Sequence, residues 1–326
     1  MFDIILSFFA RNESFILTTH DSPDADGLGA ELVFALILKR MGKKVRIINS
    51  SAVPKYLHFI DCEESHDYCK IEVWNSDEHS CILEDSSLVI LDTSEEHHLG
   101  SIREIIKKVK ETFIIDHHEP KPASRLRGFV DSSASSTSEL SIELACELGA
   151  ELDPHTATAA YAGIVFDSGF FAYPKTSIRT FKAAIKTLEW GAAPNHIYKK
   201  MMENSSFASL LLQKQALSNL EFHAGRKLAV MILRWEDFIK AEAEFDEVEN
   251  IVGIPLKARE VEISILLREK EHGEVFCSLR SKGALNVSKI AQNFGGGGHV
   301  TAAGFRSYIG MEEIVKKLLA CVESRL

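Results

Sequence analysis

This 326-residue sequence has no excess of positive charge: 37 Lys and Arg stand against 47 Asp and Glu, a net charge of −10. Sequence-independent binding of long nucleic acid depends mainly on many Lys and Arg contacts to phosphate. That composition excludes long-duplex DNA as a partner and leaves room for a short anionic substrate held by a few local cations. Cysteine is scarce and scattered: Cys62, Cys69, Cys81, Cys146, Cys277 and Cys321 form no CxxC pair and no disulfide-like framework. Reduced thiols and a cytoplasmic location are therefore expected. No segment reads as a membrane span, and Phe2 to Phe9 carries an acid and lacks a basic leader, so an amphipathic first helix is expected instead of a signal peptide. The length suffices for two domains with their own cores.

Against these absences stands a concentration of acids and imidazoles. Thr19-His20-Asp21-Ser22-Pro23-Asp24-Ala25-Asp26-Gly27 follows the apolar run Phe15-Ile16-Leu17. The same arrangement recurs where Asp92 closes Leu88 to Leu91, where Asp116-His117-His118 closes Phe113 to Ile115, and where Asp167 closes Ile164 to Phe166. Short continuous apolar runs are the mark of parallel strands covered on both faces, and open α/β sheets place their sites beyond the carboxyl ends of such strands. Alone, each piece is a turn or a helix cap. Together, Asp24, Asp26, Asp92, Asp116 and Asp167 would repel one another unless cations neutralise them. Oxygen-rich ligation with some imidazole suits manganese or magnesium better than a closed thiolate zinc site, and the surplus of carboxylates suggests two ions sharing a ligand.

The four motifs, His20-x-x-x-Asp24-x-Asp26, Asp92, Asp116-His117-His118 and Asp167-Ser168-Gly169, resemble those of the DHH phosphoesterases. Gly295-Gly296-Gly297-Gly298-His299, with Arg280-Ser281 and Asn286 before it, resembles the DHH-associated C-terminal substrate domain. Length and layout are most similar to the stand-alone nanoRNA and phosphoadenosine-phosphate hydrolases of NrnA type, including relatives that cleave cyclic-di-AMP and pApA. The resemblance implies an α/β chain of two domains: a Rossmann-like parallel-sheet catalytic domain over 1–192, a helical linker over 193–222, and a smaller α/β substrate-binding domain over 223–326. It implies that His20, Asp24 and Asp92 hold one manganese and that Asp26, Asp92, His117 and Asp167 hold the other, with Asp92 bridging and magnesium a less active substitute. His118 would then act on a phosphoryl or leaving oxygen, and Asp116 would orient His117 or the metal water. Arg280, Ser281, Asn286, Gly296, Gly297, Gly298 and His299 would hold the nucleotide end, so short RNA oligonucleotides or dinucleotides are the expected partners. Where many relatives carry an arginine after the Asp92 motif, this chain has Glu95-Glu96-His97-His98.

In chain order, helical spacing predicts helices over Leu28 to Met41, Ser101 to Val109, Ser136 to Leu148, Asp153 to Asp167, Ser177 to Trp190, Ser205 to Phe222, Asn286 to Phe294 and Met311 to Val322. Ser136 and Glu139 have capping-box spacing, and that serine-rich helix start reads either as a phosphate cradle or as a plain cap. Val45 to Ile48 reads as a strand, as do Leu228 to Leu233, Val261 to Leu267 and Val275 to Leu279, the last two joined as a hairpin. Residues 51–87, with His58, Cys62, His66, Cys69, His79 and Cys81, fit no compact zinc knuckle and read as an irregular insertion with buried thiols. The leucines Leu210, Leu211 and Leu217 would pack on either domain or on a second copy, which leaves a homodimer open. A RecJ-like exonuclease, a family II inorganic pyrophosphatase and a non-catalytic nucleotide sensor are the competing readings.

Overall fold

In the computed structural model, the chain divides into two compact units, Met1–Asn204 and Ser205–Leu326. The structure describes residues 1–60, 70–119, 126–248, 251–298, 300–323 and 325.

The first unit is built on a six-stranded sheet in the order β3-β2-β1-β4-β5-β6 with every pairing parallel: β1 Ser14–Thr18, β2 Lys44–Asn49, β3 Ile71–Val73, β4 Ser87–Leu91, β5 Glu111–Asp116 and β6 Gly128–Val130. Its helices are α1 Asp3–Arg11, α2 Ala25–Arg40, α3 Ser76–His79, α4 Thr137–Glu147, α5 Pro154–Asp167, α6 Ile178–Glu189 and α7 Pro194–Met202. Period-two alternation sends Val89 and Leu91 of β4 into one core, with Phe8, Phe15 and Phe34, and Leu88 and Ile90 into the other, with Ile16, Ile102 and Ile105. This burial on both faces explains why the strands read as unbroken apolar runs. Helix α2 is apolar all round because it lies under other helices. A Cβ on Gly29 would sit 2.6 Å from the Ala159 carbonyl oxygen, and one on Gly163 would sit 2.2 Å from Ser138 Oγ, so glycine permits the close approach of α2, α4 and α5.

Several expectations change here. Asp24 caps α2 through the amides of Asp26 and Gly27, so the helix begins at Ala25 and not at Leu28. Residues Gly100–Ile105 wind as 3₁₀ turns in place of an α-helix; Gly100 enters with φ +52°, and Ile102 and Ile105, three apart, eclipse on one buried side. The segment after Ser51 is not merely irregular, since Ile71–Val73 adds a parallel edge strand, and Cys81 is exposed. His58 bonds the Val53 carbonyl, and His79 Nδ1 accepts from the Asn75 amide. Cys62, His66 and Cys69 lie outside the described residues.

The second unit is a mixed sheet in the order β11-β12-β10-β9-β8-β7, with β7 Glu221–His223, β8 Leu228–Leu233, β9 Ile263–Glu269, β10 Val275–Ser281, β11 Gly297–Gly298 and β12 Ala302–Ser307. Among the described residues only the pairing of β8 with β9 is parallel. Helices α10 Val287–Gln292 and α11 Met311–Glu323 belong to the core on one face, with Ile265, Leu279 and Phe305. Helices α8 Phe207–Ser218 and α9 Trp235–Ala241 contribute Leu212, Ala216 and Phe238 to the other core, with Met231 and Leu266. The single helix expected from Ser205 to Phe222 is thus a shorter helix followed by an edge strand. Strand β12 and helices α7 and α9 were not foreseen.

Candidate metal centre

Three adjacent strands deliver the site at the point where the strand order reverses, which is where open α/β sheets place their ligands. Beyond β1 comes His20, beyond β4 comes Asp92, and β5 ends in Asp116 with His117 next in the chain. The N-terminus of α2 adds Asp24 and Asp26, and the last residue of α5 is Asp167.

His20 Nε2 lies 3.3 Å from Asp24 Oδ2 and 3.7 Å from Asp92 Oδ2. His117 Nε2 lies 2.9 Å from Asp167 Oδ2, 3.3 Å from Asp92 Oδ1 and 3.9 Å from Asp26 Oδ2. Within each of two groups, His20 with Asp24 and Asp92, and Asp26 with Asp92, His117 and Asp167, one ligand atom per residue lies within 4.8 Å of the others. Asp92 belongs to both. It adopts a left-handed backbone at φ +61°, unfavourable for a non-glycine residue, and its amide donates to the Ile115 carbonyl at 3.1 Å.

Among these groups burial and mutual charge dominate. Burial raises the Asp26 carboxyl well above its usual range, with Asp92 and Asp167 adding to it, and burial likewise raises Asp167. For Asp92 burial acts upward too, but the imidazoles of His117 and His20 beside it outweigh that and hold the carboxyl far below its usual range. Burial opposes a charge on either imidazole, yet Asp24 and Asp92 carry His20 up to about 11, and Asp167 and Asp92 carry His117 to about 11. Two protonated imidazoles therefore supply the positive charge that the carboxylates demand, a place divalent cations would take on displacing those protons. His117 Nε2 is buried among oxygens of Asp26, Asp92 and Asp167 without a well-aligned hydrogen bond to any of them. Ligand atoms with orphaned polarity and oxygen-rich surroundings fit hard or borderline divalent ions.

The serine-rich start of α4 is not open to phosphate. Thr137 N and Ser138 N donate to the two oxygens of Asp26 at 2.6 and 2.8 Å, and Thr137 Oγ1 donates to Asp92 Oδ1 at 3.1 Å. The helix N-terminus thus holds a carboxylate, as its dipole favours. Only half of the capping box forms: Ser136 Oγ accepts from Glu139 N, whereas the Glu139 carboxylate accepts from Ser135 Oγ. Asp116 Oδ1 accepts from His118 Nδ1 at 2.8 Å and from His118 N, so its partner is His118 and not His117. His117 Nδ1 faces the Ala134 carbonyl at 3.4 Å.

Supporting residues were missed in the sequence. Arg179 of α6 grips Glu143 with Nε and Nη2, reaches Asp131 at 2.7 Å and Ser133 Oγ at 3.1 Å, and so braces the loop that precedes α4. Asn49 accepts from Thr19 N and donates to buried Glu31, whose carboxyl burial pushes up to about 8. Charge complementarity between Arg179 and Asp131 was visible in the residue types but not their proximity. In the loop after Asp92, Glu95 Oε2 lies 3.4 Å from His97 Nδ1, and the His98 carbonyl accepts from the Asp21 amide.

In the second unit Arg280 lies on β10 opposite Ser264 and Ala302. Ser281 Oγ donates to the Leu285 carbonyl, and Asn286 caps α10 through Lys289 N. A Cβ on Gly296 would sit 2.1 Å from the Gly304 carbonyl oxygen, and one on Gly298 would sit 2.5 Å from that of Ala302; Gly297 meets nothing. Two glycines of the run are thus required by β12 itself. His299 lies outside the described residues.

A parallel α/β unit with imidazoles and carboxylates gathered at its strand ends, joined to a mixed-sheet unit carrying a glycine run, is the make-up of a phosphoesterase. The chain belongs to the DHH family: residues 14–164 match its N-terminal domain and residues 225–324 match the DHHA1 domain. It is 29% identical over 313 residues, 95% of its length and 89% of the relative's, to the bifunctional oligoribonuclease and PAP phosphatase NrnA of Thermus thermophilus. The probable enzyme of that name from Streptococcus mutans is 26% identical, with 94% of each chain covered. Among solved structures, an exopolyphosphatase-related protein from Bacteroides fragilis superposes with a TM-score of 0.87 at 27% identity, covering 99% of this chain and 95% of that one. Among the described residues no helix is long and apolar enough to cross a membrane.

Proposed function

We propose that the protein is a manganese-dependent phosphodiesterase that hydrolyses short oligonucleotides and dinucleotides such as pApA to nucleoside 5′-monophosphates, and that it also removes phosphate from 3′-phosphoadenosine 5′-phosphate. The observation that carries this reading is Asp92, common to two separate groups of ligand atoms. The relatives named for oligoribonuclease and PAP phosphatase activity, aligned over nearly the whole chain, support the substrate class.

His20, Asp24 and Asp92 would hold one ion and Asp26, Asp92, His117 and Asp167 the other. Divalent ions there would supply Lewis acidity and an acidified water for in-line attack on phosphorus. The amides of Thr137 and Ser138 fix Asp26, and the Thr137 hydroxyl fixes Asp92, so both carboxylates are oriented before any ion arrives. His118, half-exposed, has Nδ1 bonded to Asp116, which raises its pKa against the opposing effect of burial. That arrangement leaves Nε2 to carry a proton to the leaving oxygen. Arg280 and the backbone of Gly296 to Gly298, with His299, would bind the nucleotide end, while Ser281 and Asn286 shape the loop around it. Imidazole ligands favour manganese over magnesium, which dehydrates reluctantly.

The test is a substrate panel with manganese: AMP from pApA and from RNA of two to five nucleotides, phosphate from 3′-phosphoadenosine 5′-phosphate, and phosphate from pyrophosphate. Turnover of pyrophosphate alone would replace this reading by that of a pyrophosphatase, and binding without turnover by that of a sensor.

A further inference from the structure

The chain leaves the metal centre by a strained path. After Asp167 closes α5, Gly169, Phe170 and Phe171 are all left-handed, at φ +56°, +55° and +64°. Bulky residues rarely adopt that backbone, and two in succession persist only where their surroundings dictate the path. Phe171 turns inward, stacked on Phe181 with ring centroids 5.0 Å apart and edge-on to Tyr161 at 6.3 Å. The Tyr173 amide donates to the Ser168 carbonyl at 2.9 Å, which brings Tyr173 back beside the end of α5 that carries Asp167. Lys175 Nζ then donates to the carbonyl of His117, again at 2.9 Å. Tyr173 is thus tied on one side to the neighbour of Asp167 and on the other to His117 itself. Those ties fix how its ring lies. A Cβ on Gly169 would sit 2.5, 2.6 and 2.7 Å from Cε1, Cζ and Cδ1 of Tyr173. Nearly equal distances to three adjacent ring carbons mean that the ring lies face-down on Gly169, an approach that a side chain there would block. The other face is turned to solvent, and Tyr173 is 59% exposed.

We infer that the outward face of Tyr173 is a stacking platform for the base of the nucleotide whose phosphate occupies the metal centre. The inference rests on the phosphodiesterase reading above and adds to it a base-binding residue in the first unit. Three observations favour a nucleobase as the occupant. Asp167 and His117 belong to one group of ligand atoms, and Tyr173 is joined to the chain beside both, so a phosphate held by that group brings its own base to the ring. The ring is presented flat, with one face already covered by Gly169, which leaves the other for a planar ligand. Its position is set before anything binds, so little side-chain freedom is lost on stacking. The aromatic surface also continues through Phe170, which is 39% exposed and edge-on to Tyr198 at 6.1 Å. Every base has a π-face, so such a platform accepts short RNA of any sequence.

Calorimetric affinities of the full chain, supplied with manganese, for AMP and for ribose 5-phosphate, which lacks the base, test this. Stacking on an aromatic side chain is worth about 5- to 150-fold in affinity per base, so the wild type should prefer AMP by a factor in that range. Tyr173→Ala should lose most of the preference through weaker AMP binding, and Tyr173→Phe should keep it. If Tyr173→Ala also weakens manganese binding because the packing on Gly169 is lost, Tyr173→Leu, which keeps bulk there without an aromatic face, gives the reading. A wild type that binds the two ligands equally, or a Tyr173→Leu protein that keeps the preference for AMP, would overturn the inference. Because the readout is binding, a wild type that discriminates through Tyr173 yet releases no AMP from pApA would sink the phosphodiesterase reading and leave the platform standing.

Discussion

Replacing Arg179 by Met leaves Asp131, Glu143 and buried Glu139 facing one another without their shared cation. Breaking a buried ion pair by removing one partner costs about 3–5 kcal/mol, and the 24% exposure of the Arg179 side chain discounts that to roughly 2–3 kcal/mol. For a unit of this size that corresponds to a drop of about 5–10 °C in Tm. The consequence should not stop at stability. Asp131 and Ser133 begin the loop whose far end gives Thr137 N and Ser138 N to Asp26, so a loosened loop leaves that carboxylate less fixed. Losses of groups that orient metal ligands typically cost 10- to 100-fold in affinity. Manganese titration by calorimetry at a temperature well below both midpoints separates the two effects. A lowered Tm with unchanged manganese affinity would refute the bracing argument and leave Arg179 a stabilising residue only.

Other expectations follow from single contacts. Arg280→Ala should reduce kcat/KM on pApA roughly ten- to a hundred-fold, the loss of a charge-assisted contact of about 1.5–3 kcal/mol, while bis-p-nitrophenyl phosphate is little affected; equal losses would mean that Arg280 supports the fold. Gly163→Val should lower Tm sharply because its side chain would enter the space of Ser138 Oγ; an unchanged Tm would show that α4 and α5 can move apart. Glu31 should make stability fall with pH. Its folded pKa of about 8 lies above the usual 4.5, so the folded state binds the extra proton between those values, and stability falls from near pH 4.5 until about pH 8. Glu31→Gln should remove that slope, and the Tm advantage of the variant should grow from pH 5 to pH 9; parallel curves would refute the assignment.

The strand ends were legible because burial on both faces writes β1, β4 and β5 as unbroken apolar runs, each closed by a polar ligand. Asp167 was legible as a helix end because Asp153-Pro154 opens α5 in cap order. The start of α4 illustrates the limit. Its hydroxyls announced a helix N-terminus, but whether that end would face solvent phosphate or Asp26, 111 residues earlier, depends on tertiary packing that no local pattern carries. The same holds for Asp116, whose choice of His118 over His117 depends on side-chain direction at the end of β5. Strand β12 was hidden because Ala302, Ala303 and Gly304 carry little β-forming signal; the strand is specified by its partner β10 and by glycines that let β11 lie against it. Ile102 and Ile105 fit a helical apolar stripe although Gly100–Ile105 winds as 3₁₀ turns, since eclipsed positions three apart satisfy both patterns.

In the proposed function one carboxylate, Asp92, serves two ions at a phosphodiester-cleaving centre. Its most direct test is manganese stoichiometry together with pApA turnover for the wild type and for Asp92→Ala. The wild type should bind two manganese ions and release AMP, whereas Asp92→Ala should lose turnover and bind both ions more weakly, because each group of ligands loses a member. A folded Asp92→Ala protein that retained two tightly bound ions and near-normal turnover would contradict it.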